Sequence, residues 1–198
     1  MDDESSTVPH RIVRLNALQI RTLAHPLRAR LLGLLRADGP ATATTLARLL
    51  DTNTGATSYH LRQLADVGLV VEEADLGTGR QRFWRAAHDA STWRPTDFDD
   101  DPDARAAAQW IENQQLQLMS EQAERWLATQ QTAPREWREA ATISDAMLTL
   151  APDRLRALNE EIWDLVMKYR QDPVYADESG AAQVNVFLVS FPRAEELR

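Results

Sequence analysis

The chain has 198 residues, 43% hydrophobic and 26% charged, with a net charge of −8. That is the composition of a soluble globular protein of one large or two small domains. The absence of cysteine excludes disulfides, thiolate metal sites and cysteine nucleophiles, and no apolar run approaches the roughly 18 residues of a membrane span. The start, MDDESSTVPH, has neither the basic end nor the apolar centre of a secretory signal, so a cytoplasmic location is expected.

The charge is unevenly placed. Residues 10–94 hold 12 arginines against 7 acidic residues, whereas residues 95–198 hold 10 basic and 20 acidic ones. A basic module on an acidic body suits a protein that turns one face to a polyanion.

Residues 1–9 read as a disordered tail. From Ile12, apolar residues at Leu15, Ile20 and Leu23 predict a first helix. Pro26 then opens a second, with Leu27, Leu31, Leu34 and Leu35 in one stripe. Gly39-Pro40 ends it. Thr42 is a suitable cap for a third helix burying Leu46, Leu49 and Leu50. After the turn Asp51-Thr52-Asn53, a fourth helix begins with Asn53 or Thr54 as its cap, Thr57, Leu61, Leu64 and Ala65 inward and Gly68 as its left-handed stop. The period then changes from helical to alternating. Leu69–Glu73 and Arg80–Arg85 read as two strands around a Gly77-Thr78-Gly79 turn. Two helices joined by a tight turn and followed by a hairpin predict a winged helix-turn-helix over residues 10–90, with a two-stranded wing.

Residues 91–102, within DASTWRPTDFDDDPD, read as an acidic linker. Its aspartates lack the glycine and terminal glutamate of a calcium loop. Residues 103–198 read as a mostly helical C-terminal domain. A long helix over 103–131 and a second at PDRLRALNEEIWDLVMKYR are accompanied by one or two strands, at 141–150 between them and at 183–191 after the second. The fold class expected is therefore mainly α.

In a helix-turn-helix the second helix lies in the major groove, and its N-terminal residues reach base edges. With Thr57, Leu61 and Leu64 inward, the outward side holds Thr54, Gly55, Ser58, Tyr59, Arg62 and Gln63. Arginine pairs with guanine or phosphate, glutamine with adenine, and hydroxyls with either. Alone, such a face would be ordinary solvated helix surface. The turn before it and the basic hairpin after it make it a DNA-reading face. Arg80 and Arg82, two apart on the wing, are expected on phosphate or in the minor groove. Thr42 and Thr44 could offer hydroxyls and helix N-terminal N–H groups to phosphate, although capping alone also explains Thr42.

HPLRARLLGLL, the turn into TSYHLRQLADVGLV, and EEADLGTGRQRFWR together resemble the winged helix-turn-helix domain of ArsR-family transcriptional regulators, over about residues 12–88. The resemblance implies a homodimeric repressor whose DNA affinity responds to a ligand or metal. It also places Thr54, Gly55, Ser58 and Tyr59 at the family's base-contacting positions. Many relatives carry histidine where Tyr59 stands, so base preference does not transfer.

The family's metal sites are not legible here. The third helix has no cysteine, the long helix has no histidine, and His10, His25, His60 and His88 have no ligand spacing. No metal, cofactor or catalytic residue is therefore expected. The partners expected are double-stranded DNA and a second copy of the chain. Leu15, Trp110, Ile111, Leu118 and Trp126 are the candidates for a dimer interface. The tryptophans of the C-terminal half could instead line a pocket for a small apolar effector. The alternative function is a winged-helix protein-interaction module without sequence-specific DNA binding.

Overall fold

A computed structural model describes residues 11–76, 82–171 and 179–197. The tail expected at 1–9, the turn at Gly77–Gly79 and Arg80 lie outside the described residues. The chain divides into two compact units between Leu116 and Gln117.

The first unit opens with a strand, β1 (Ile12–Arg14), where a helix was expected. The helix α1 (Ala17–Leu23) starts later because Asn16 caps it. The Asn16 side chain accepts from Gln19 N at 2.9 Å and the Gln19 side chain accepts from Asn16 N at 3.0 Å. In α2 (Pro26–Ala37), His25 is the cap and Leu31, Leu32 and Leu35 are buried. In α3 (Ala43–Leu49), Thr42 Oγ1 accepts from Thr45 N at 3.1 Å. Leu46 and Leu50 are buried, but Leu49, expected inward, is exposed. Asp51 takes a left-handed φ of 50° in the turn. Asn53 then caps α4 (Thr54–Asp66) through a 2.8 Å bond from Ala56 N.

The inward face of α4 is Thr57, Leu61 and Leu64, all fully buried. Burial of each leucine contributes about 1.5–3 kcal/mol. Thr57 is tolerated there because its hydroxyl donates to Asn53 O at 3.1 Å. Gly68, with φ 73°, turns the chain so that Leu69 N bonds back to Leu64 O at 2.9 Å.

The wing has three strands rather than two. β3 (Val70–Glu73) and β4 (Phe83–Ala86) pair antiparallel, and β2 (Ala41–Thr42) adds to the other side of β4. Ala41 lies opposite Trp84 and Thr42 opposite Phe83. Two residues are too few to show an alternating pattern, so β2 has no signature in the sequence.

The segment expected as an acidic linker is folded into the first unit. Its β5 (Ala90–Thr92) runs parallel to β1, with Val13 opposite Ser91. Arg36 on α2 donates to His88 O at 3.1 Å and to Ser91 Oγ at 2.7 Å. Phe98 is buried in the core, and Trp93 packs against it. The aspartates pair locally: Asp97 with Arg14, and Asp101 with Arg21. The Arg14 guanidinium holds Asp97 below the usual carboxylate range. For Asp101 the bond from Ala104 N is the larger cause, followed by Arg21.

The long helix α5 (Pro102–Thr129) starts on this core, burying Ala104, Ala108 and Ile111. Two residues expected at a dimer interface are therefore core residues. Leu15 is 2% exposed and Ile111 6%, and both are members of the buried cluster of the first unit, Leu15 just after β1 and Ile111 on α5. Trp110 packs partly buried against that core, while Leu118 is exposed and Trp126 half-buried.

The second unit contains the rest of α5, α6 (Arg135–Ala140) and α7 (Pro152–Gln171). Neither 141–150 nor 183–191 is assigned to a strand, contrary to expectation. Both are β-prone, but a strand exists only with a ladder partner, and no described residue pairs with either. Among the described residues of this unit, Met167 alone is buried. No described helix is long and apolar enough to cross a membrane.

Candidate nucleic-acid interface

The start of α3, one side of α4 and the edge of the wing meet around an open groove of about 220 Å³. It is lined by Thr42, Ala43 and Thr44 from α3 and its cap, by Thr54, Ser58 and Arg62 from α4, and by Arg82 and Trp84 from the wing. Thr54, Ser58 and Arg62 are four apart in sequence and so stack along one line of the helix. Two arginines, one from α4 and one from the wing, share this lining with four hydroxyl side chains. This arrangement presents donors to an anionic, edge-rich partner.

Six of the expected contact residues are therefore brought together: Thr42, Thr44, Thr54, Ser58, Arg62 and Arg82. Gly55, Tyr59 and Gln63 do not line the groove. They lie further round α4, where Tyr59 is exposed and Gln63 Nε2 donates weakly to Asp66 Oδ2 at 3.4 Å. Gly55 also has a local reason to be small. A Cβ there would approach the capping Asn53 Oδ1 to 3.3 Å.

Ala43 and Trp84 were missed. Trp84 had a faint signal, since it lies two residues after the expected wing residue Arg82. It joins the lining of the groove while its side chain belongs to the core, 6% exposed.

The charges of both arginines are available. Arg62 is exposed and makes no ion pair with a described residue. Arg82 meets Glu72 at 3.5 Å, with both side chains well exposed. Such a pair is worth about 0–1 kcal/mol, little hindrance to exchange for a phosphate. Thr42 is more committed, because its hydroxyl already caps α3 and contacts Thr45 Oγ1 at 3.0 Å. Thr44 is exposed.

On the far flank of α4, His60 stacks on His25 with ring centroids 4.4 Å apart, and Tyr59 meets His60 edge-on at 5.2 Å. His25 Nδ1 accepts from Leu27 N at 3.2 Å. Burial pushes the His60 imidazolium pKa down, and the nearby His25 and Arg28 push it further. His60 is thus a neutral packing residue that fixes α4 against the entry of α2.

Residues 23–73 match a family model described as a helix-turn-helix domain, from the end of α1 through β3. No curated protein matches the chain. Among solved structures, a possible transcriptional regulator for arsenical resistance is 29% identical, covers 48% of this chain and 81% of its own, and has a TM-score of 0.31. An ArsR family transcriptional regulator is 25% identical over 52% of this chain and 93% of its own, also at 0.31. ZitR of Lactococcus lactis, in complex with DNA, is 14% identical over 85% of this chain and 81% of its own, at 0.26. Residues 23–73 thus match the model of a helix-turn-helix domain, within the winged-helix unit described above.

Proposed function

We propose that this protein is a sequence-specific DNA-binding transcriptional regulator, a homodimeric repressor whose two copies of α4 enter successive major grooves of a near-palindromic operator. The observation that carries the reading is the groove shared by α3, α4 and the wing, with Arg62 of α4 and Arg82 of the wing both in its lining. Thr54, Ser58 and Arg62 would read base edges. Gly55 and Tyr59 would extend the contact on the outer side of α4. Arg82, with Arg80 on the same wing, would hold phosphate and set register. Thr44 N–H and hydroxyl groups at the start of α3 would add a further phosphate contact. A two-fold dimer places the reading helices about 34–36 Å apart, which sets the half-site spacing. Exposed Leu118 and half-buried Trp126 on α5 are available to such a dimer.

Selection of bound fragments from a genomic library, followed by titration of the enriched site at several salt concentrations, tests the reading. Enrichment of an inverted repeat and a steep salt dependence are expected. Uniform, sequence-independent binding, or none at moderate salt, would sink it in favour of a protein-interaction module.

A further inference from the structure

Two segments of the second unit, 141–150 and 183–191, share an unusual combination of properties. Both are rich in residues that favour strands, and together they carry one charge, Asp145. No backbone hydrogen bond joins residues 142–150 or 183–191 to another described residue. Ten large apolar side chains in them are 39% to 79% exposed. The second segment is apolar on both faces when extended, with Val186 and Leu188 on one side and Phe187 and Val189 on the other. That is the pattern of a strand with neighbours on both faces and both edges, not of a loop. Within the unit, Ser190 Oγ donates to Asn159 Oδ1 on α7 at 2.8 Å, and Arg193 reaches Met147 at 3.9 Å. The two segments and α7 are thus neighbours, yet Val186 remains 58% exposed and Val189 47%.

We infer that these segments form the interface with a second copy of this chain, by strand pairing across a two-fold axis. The inference rests on the homodimer proposed above and gives it a location. Three observations select another copy as the occupant. At on the order of 150 Å² per large apolar residue, ten residues about half exposed offer roughly 800 Å², the share each partner gives a standard interface. The patch is almost uncharged on a body that is otherwise acidic, with residues 95–198 at 20 acidic against 10 basic. A second copy can lay the same uncharged patch against it without bringing like charges into contact, and a basic partner would have nothing to pair with there. An unpaired strand edge is also met by its own copy in antiparallel register when the axis is two-fold, so one segment satisfies both chains.

The test uses the full chain, followed by sedimentation from nanomolar to micromolar concentration with amide hydrogen exchange at both ends of the range. The expected result is a dimer in which amides of 142–150 and 183–191 exchange at least about tenfold more slowly than in the diluted monomer. Val186→Pro, which removes one ladder N–H, should raise the dimer dissociation constant by about a hundredfold. Its binding to a single DNA half-site should be unchanged. If Val186→Pro fails to fold, the exchange measurement on the unaltered chain decides alone. A monomer at every concentration overturns the inference, as does a dimer whose segments exchange freely. Dimerisation lost with Leu118→Asp and Trp126→Asp but kept with Val186→Pro also overturns it, and so does protection that arises only when a different protein is added. Loss of sequence-specific DNA binding with concentration-dependent protection intact would instead sink the regulator and leave the pairing standing.

Discussion

The two units handle their apolar residues in opposite ways. Of the buried apolar side chains among the described residues, all but Met167 belong to the first unit. The second has residues as apolar as any in the chain, yet Met147, Leu148 and Phe191 are 79%, 63% and 75% exposed. Hydrophobicity does not separate them. The difference is whether each apolar stripe has a facing surface within the same chain. Five helices, the start of α5 included, and a three-stranded sheet converge on one cluster in the first unit, so it closes a core within one chain. Among its described residues the second has the end of α5, α6, α7 and two β-prone segments without ladders, and these do not close a comparable core.

The largest effect that would break this contrast is on stability. Leu61→Ala, at a fully buried position on α4, should cost about 2–5 kcal/mol in denaturant unfolding. Leu148→Ala, at a 63% exposed position, should change the dilute monomer by no more than about 0.5 kcal/mol. Equal costs would mean that the second unit has a core of its own.

The next effect separates binding from folding within the first unit. Arg62→Ala should weaken operator binding by about 1–3 kcal/mol and relax preference at one position, with the unfolding midpoint unchanged. A shift in stability of similar size would make Arg62 a structural residue. Asn53→Ala should do the reverse, lowering stability by about 1 kcal/mol through the lost cap of α4. Arg82→Ala is smaller in affinity. It should lower the slope of log affinity against log salt by about one, equally on all sequences, as expected for a phosphate contact on the wing.

The smallest effect is a pH dependence confined to the first unit. His60 and His88 both have pKa values lowered, first by burial and then by nearby positive groups. The unfolded chain therefore takes up these protons first. Stability is full above the unfolded histidine value of about 6.5 and falls as pH drops from there toward the folded values. Melting temperatures at pH 7.5 and 5.5 should show this fall, and His60→Gln should flatten it. The carboxylates Asp97 and Asp101, lowered by their hydrogen bonds, lose their contribution only at more acidic pH.

Much of the reading surface was legible because its signals are local. Pro26, Thr42, Asn53 and Gly68 each act within a few residues of their own position, and each marks a helix end where it was expected. The 3.6-residue stripe of Leu61 and Leu64 fixed which side of α4 faces out, and hence that Thr54, Ser58 and Arg62 line the groove. The linker was misread for the complementary reason. Asp97 and Asp101 look solvated until Arg14 and Arg21, 83 and 80 residues away, come beside them. The strands β1 and β5 are three residues each, too short for a period to show. Ile12 and Ala90 become partners only once the whole helix-turn-helix has folded between them.

The amino-acid sequence by itself determined the helix-turn-helix, its caps and the outward face of α4, because propensity, capping and periodicity act over single turns of chain. Tertiary structure decided which expected interface residues are available. It placed Leu15 and Ile111 in the core, brought Trp84 into the lining of the groove, and left 141–150 and 183–191 without a ladder partner among the described residues. Burial and strand pairing depend on what comes to lie opposite, and no local pattern records that.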